Sequence, residues 1–136
     1  MPTCSRLIAL DTETTGLYPQ HGDRLISIGC VEILANGEPG ASFHQLINPE
    51  RPISIGAQRV NGYSWEMLKS QPRFADIAGD FLNFIEGATL VIHNARFDIG
   101  FLNAELATVN RGCMADYCEG VKRLRLTPPV AHCTAL

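Results

Sequence analysis

The chain reads as an α/β protein with a mixed sheet, and three observations predict it. Short runs rich in strand-forming residues open the chain, and Asn36-Gly37, the strongest short hairpin signal, joins two of them. The second half shows apolar residues at three- and four-residue steps, on both sides of one further apolar run. A strand meander followed by helix, strand and helix is the order of a layered α/β domain. At 136 residues the chain suits one domain with its own core.

Taken in order, residues 7–11 are apolar up to the last position and form a short central strand. Gly16 and the stretch from Pro19 to Gly22 make the loop that follows. Residues 24–34 form the second strand, carried by Leu25, Ile26, Ile28, Val31 and Ile33. The Asn-Gly turn returns the chain antiparallel as a third strand over 41–47. Pro49 and Pro52 end it, because proline donates nothing to a ladder. Two short helices follow over 55–60 and 64–68. Pro72 opens a longer one through Glu86, with Phe74, Ile77, Ala78, Phe81, Leu82 and Ile85 as its apolar stripe and Gly87 as its cap. Residues 89–92 read as a strand buried on both faces, the habit of parallel pairing. The helix over 96–109 turns Phe97, Phe101, Leu102 and Leu106 inward.

Composition narrows the function classes. Hydrophobic residues make up 46% and charged residues 18%, with a net charge of −3, so no global positive field attracts nucleic acid. Such binding must rest on a local groove or on metal ions that neutralise phosphate. No apolar run approaches the ~20 residues that span a bilayer, and the N-terminus lacks the apolar core of a signal peptide. Cys4, Cys30, Cys113, Cys118 and Cys133 are odd in number and scattered, which points to reduced thiols in the cytoplasm. The spacing of Cys113, Cys118, His132 and Cys133 suits no common zinc module.

The chemistry concentrates in Asp11-Thr-Glu13-Thr-Thr-Gly16, placed directly after Leu7-Ile8-Ala9-Leu10. Residues two apart on a strand share a face, so Asp11 and Glu13 project together. Paired carboxylates resist joint ionisation unless a cation lies between them. The plainer alternative is a solvated strand end. Asp98 follows the fourth strand by one turn, where an acid also suits the start of a helix dipole. If the two apolar strands pair, all three acids reach one end of the sheet. Hard divalent cations, Mg²⁺ or Mn²⁺, are then the fitting companions.

These residues carry a family resemblance. Asp-Thr-Glu-Thr-Thr-Gly after an N-terminal strand, with His93-Asn-Ala-Arg-Phe-Asp98 further on, resembles the DEDD-type 3′–5′ exonucleases. Within them the chain is most similar to the proofreading epsilon subunits of bacterial DNA polymerase III. Gly22 to Glu32, Phe43-His44, Ile47 to Pro52 and Leu90 to Asn94 extend the match to about residue 119. The resemblance implies a ribonuclease H-like fold over 1–120 and hydrolysis of the 3′-terminal phosphodiester with two Mg²⁺ or Mn²⁺ ions. Asp11, Glu13 and Asp98 would be the catalytic metal ligands, with Asp11 bridging both ions. Thr12, Thr14, Gly16 and Asn61 would join Asp11 and Glu13 in the terminal-nucleotide pocket, Gly16 permitting close approach. A single-stranded or frayed DNA 3′ end is the implied partner, with a DNA polymerase subunit as a further one and no membrane.

The chain also departs from the pattern. The family's third motif is a histidine followed five residues later by a carboxylate; the histidine is its general base. Here His132 is the last histidine, and no acid follows Glu119. Relatives commonly carry histidine at Asn61 and glutamate at Gly56, so this pocket has lost a donor and a charge. Residues 121–136 match nothing in the family. They read as a phosphate-gripping edge through Lys122, Arg123 and Arg125, as a solvated end, or as the product of an interrupted frame near Val121, which best suits the abrupt change. Asp116 and Glu119 are the remaining candidates for a fourth ligand. The expectation is an exonuclease with weak or absent turnover on its own. The alternatives are a non-catalytic DNA- or polymerase-binding module and a fragment without a function of its own.

Overall fold

A computed structural model describes residues 6–123. Its sheet has five strands in the order β3-β2-β1-β4-β5. β1 (Leu7–Thr14), β2 (Leu25–Ile33) and β3 (Pro39–Leu46) form the expected antiparallel meander. β4 (Thr89–Ile92) pairs parallel with β1, and β5 (Gly120–Arg123) pairs parallel with β4. The helices are α1 (Ile55–Asn61), α2 (Trp65–Leu68), α3 (Phe74–Ile85) and α4 (Ala95–Thr108). The mixed α/β architecture is the one the sequence predicts.

Two boundaries differ from expectation. β1 runs on to Thr14, because Thr12 and Glu13 keep pairing with Ile28 and Ser27 before the register shifts. β5 begins at the expected domain limit and forms the edge of the sheet beside β4, the place that the edge reading of the tail gives Lys122 and Arg123, although the sequence pattern predicts no strand there. Gly-Val-Lys-Arg carries one apolar residue, so its strand state comes from the neighbouring ladder rather than from its own pattern. Glu119 N donates to Ala88 O at 2.7 Å and Gly87 N to Tyr117 O at 2.8 Å, which draws the segment alongside β4. Arg125, His132 and Cys133, and the rest of the expected tail beyond Arg123, lie outside the described residues.

One face of the sheet is closed by apolar packing. Ile8 and Leu10 of β1, with Leu90 and Ile92 of β4, share a core with Phe74, Ile77, Phe81 and Ile85 of α3 and with Phe101, Leu102 and Leu106 of α4. The predicted α3 stripe is buried throughout. Each such side chain, fully buried, contributes roughly 1.5–3 kcal/mol. α3 starts one residue after Arg73, whose backbone N–H donates to the Asp76 carboxylate at 3.0 Å. The opposite face is open at its centre. Ala9, Asp11, Gly29, Val31, His44 and Val91 line a cavity of about 670 Å³ there, and Val31 is 39% exposed.

Candidate functional site

Alternation along β1 decides where the acids go. Leu10 and Thr12 turn into the core side, whereas Asp11 and Glu13 turn to the other. Asp11 is exposed and Glu13 half-buried at the C-terminal end of the central strand. Burial and then the neighbouring Asp11 charge push the Glu13 carboxyl above its usual range. None of Asp11, Glu13 and Asp98 forms an ion pair among the described residues.

Asp98 sits in the first turn of α4 and is 5% exposed. Its Oδ1 accepts a hydrogen bond from Thr12 Oγ1 at 3.0 Å. Burial lifts its carboxyl to about 7; the Thr12 bond opposes the rise, and the charges of Asp11 and Glu13 add to it. All three carboxylates therefore interact electrostatically across β1. They are not gathered into one cage: among the described residues no group of three or more His, Cys, Asp or Glu side chains is set to hold a metal ion. The expected trio is thus a pair on one side of the strand with a third acid behind Thr12. Unneutralised oxygen donors, two of them with raised pKa, fit a hard divalent cation, whose charge would favour the ionised forms.

Beside the pair lies a cavity of about 500 Å³, lined by Glu13, Thr14, Gly16, Leu17, Val60 and Phe97 among others. The loop after β1 is held by Asp23, which accepts from Thr15 Oγ1 at 2.9 Å and from Tyr18 N at 3.1 Å. Gly16 passes so close to this carboxylate that a Cβ there would collide with it. A side chain at this position would displace the Asp23 carboxylate and with it the loop's hydrogen bonds. Asn61 lines the same cavity, but its amide bridges elements: Nδ2 donates to Thr14 O at 3.3 Å and Oδ1 accepts from Tyr63 N at 3.1 Å.

Several features escaped the sequence reading. Leu17 and Val60 are 65% and 86% exposed at the cavity rim, and Phe97, expected inward, is half-buried and lines the cavity. His44 and His93 line the open cavity together with Asp11; Gly29 separates His44 from Asp11 in the ladder. The fourth-ligand candidates fall away from the acids. Asp116 accepts from Cys113 N at 2.9 Å within its own turn, and Glu119 precedes β5, at the opposite end of the parallel strands from Asp11.

A family model described as Exonuclease matches residues 8–127. The chain belongs to this exonuclease family. Among curated relatives, the exonuclease chain is 53% identical to the DNA polymerase III subunit epsilon of Rickettsia typhi over 106 residues, covering 78% of this chain and 46% of that protein. It is 43% identical to the Buchnera aphidicola subsp. Acyrthosiphon pisum protein of the same name over 126 residues, covering 89% and 53%. The chain thus spans about half the length of these relatives. Among solved structures, exonuclease X in complex with 5′ overhanging duplex DNA matches with a TM-score of 0.57 at 29% identity, over 68% of this chain and 51% of that one. A zinc-bound E. coli ExoI–ssDNA complex matches with a TM-score of 0.77 at 17% identity, over 91% and 28%, a likeness of fold alone. The exonuclease domain therefore has the ribonuclease H-like fold, and no helix among its described residues is long and apolar enough to cross a membrane.

Proposed function

We propose that this chain is the core of a metal-dependent 3′–5′ exonuclease of the polymerase III epsilon type, directed at a single-stranded or frayed DNA 3′ end and with weak or absent turnover on its own, since no histidine followed five residues later by a carboxylate stands after Asp98. The observation that carries the reading is the unneutralised Asp11–Glu13 pair at the end of the central strand, with buried Asp98 one side-chain layer behind it. Asp11, Glu13 and Asp98 are the residues that would hold Mg²⁺ or Mn²⁺. When bound, such ions supply an activated water and neutralise the charge on the reacting phosphate. The chain's own contribution is placement. Thr12 holds the Asp98 carboxylate in a fixed orientation, and the Asp23-pinned loop fixes the backbone from Thr14 to Leu17. Leu17, Val60 and Phe97 offer apolar surface on which a nucleobase stacks, the sequence-tolerant grip suited to any 3′ terminus. The cytoplasm and a polymerase partner follow from the same reading.

A second reading is a DNA-binding module without turnover, favoured by the Thr12–Asp98 bond that keeps the third acid apart from the pair. One assay separates them. The purified chain is incubated with a labelled oligonucleotide and Mn²⁺ beside an Asp11→Ala control. Release of mononucleotides, lost in the control, supports the exonuclease; binding without release in either protein supports the module.

A further inference from the structure

Glu105 is the second buried acid of α4, and nothing in the proposed chemistry uses it. It is 2% exposed, and a buried carboxylate is unfavourable unless paired and hydrogen-bonded. Arg24 meets both of its oxygens, with Nε donating at 2.9 Å and Nη2 at 2.7 Å, and Leu25 N adds a third bond at 3.0 Å. This two-pronged fork is the directional form of an arginine–carboxylate pair.

The placement of the pair gives it meaning. Seven residues are two helical turns, so Asp98 and Glu105 occupy one side of α4. Asp98 grips Thr12 on β1, and Glu105 grips the first residues of β2. Arg24 also follows Asp23 directly, the residue that organises the loop beside the acids. The contacts of Phe101, Leu102 and Leu106 with the sheet are apolar and non-directional, and a further side-chain hydrogen bond of α4, from Met114 N to Asn103 Oδ1 at 2.7 Å, reaches the turn after the helix rather than a strand. The apolar contacts supply most of the adhesion, while hydrogen bonds of fixed length add a directional constraint on the height of the helix along the sheet.

We propose that Glu105, through its grip on Arg24, is a positioning residue that sets Asp98 in register with Asp11 and Glu13. The inference rests on the cation-binding reading above. Its test is calorimetric titration of the purified chain with Mn²⁺, with thermal melts of the same samples. Glu105→Gln weakens Mn²⁺ binding about tenfold, the scale typical of residues that orient metal ligands. Arg24→Lys keeps the charge but not the fork and gives a smaller loss in the same direction; it decides the question if Glu105→Gln does not fold. Ile77→Val, on α3, lowers the melting temperature and leaves Mn²⁺ affinity unchanged. A Glu105→Gln protein that melts earlier yet binds Mn²⁺ like the parent reduces the pair to a structural tie and overturns the inference. So does an equal loss of affinity in Ile77→Val. No Mn²⁺ uptake by the parent chain overturns the underlying reading instead.

Discussion

The two sides of β1 show how one strand serves packing and chemistry at once. Ile8, Leu10 and Thr12 face the core, where apolar area and one satisfied polar group settle each identity. Leu7, Ala9, Asp11 and Glu13 face the other way, toward open space and uncompensated charge. The difference teaches that adjacent residues here answer to different physics. Substitutions at Leu10 and Asp11 should accordingly part company.

The sharpest contrast is between those two neighbours. Asp11→Asn cuts nucleotide release about 10²–10³-fold, as loss of a charge-stabilising group does, while the melting temperature holds, because Asp11 is exposed. Leu10→Ala loses about 2–5 kcal/mol of unfolding free energy. Oligonucleotide digestion and urea denaturation on both proteins check the pair, and a large stability loss in Asp11→Asn breaks the comparison.

Thr12→Val tests the link between the two sides. It removes the hydroxyl that Asp98 accepts from, at about 1–3 kcal/mol for a buried partner left unsatisfied. It also moves the Asp98 carboxyl further above about 7, since the Thr12 bond opposes the rise. NMR titration of the side-chain carboxyl reads the second effect.

The pH dependence of the parent follows from the same group. The Asp98 carboxyl is lifted from an ordinary 3.8 to about 7 in the folded chain. Between those values the folded state holds a proton that the unfolded state releases. The contribution of Asp98 to stability is therefore fully present below 3.8 and lost as pH rises through about 7. Urea midpoints fall across that window, and Asp98→Asn flattens the fall. Mn²⁺ binding below about pH 7 releases protons, seen as a buffer-dependent calorimetric heat.

Gly100→Ala gives the smallest effect and the opposite sign. An added Cβ meets no atom within 4 Å, and the site lies inside α4. The gain is about 0.5–1 kcal/mol, read from urea denaturation, with Mn²⁺ affinity unchanged.

Legibility followed how local the cause was. The meander, α3 and the Asp11–Glu13 pair were readable because period-two and helical spacing act over a few residues. β5 was not, because Gly120 to Arg123 is extended by its neighbour's ladder and carries no apolar alternation. Nor was the Thr12–Asp98 bond, whose partners lie far apart in sequence and meet only once β1 and α4 are packed. Leu17 and Val60 gave no signal, since exposed apolar residues in loops and short helices are ordinary. The Arg24–Glu105 fork was hidden for the same reason as the Thr12 bond.

The unequal origins of β1's two neighbours bear on the order of assembly. β2 arrives through a short connection, whereas β4 comes from the far half of the chain, pairing Thr89 with Leu7. Closing the long loop is the slower and entropically dearer event. Asp11 and Glu13 are thus carried by a pairing local in sequence, whereas Asp98 is brought near them only by the long-range pairing of β4.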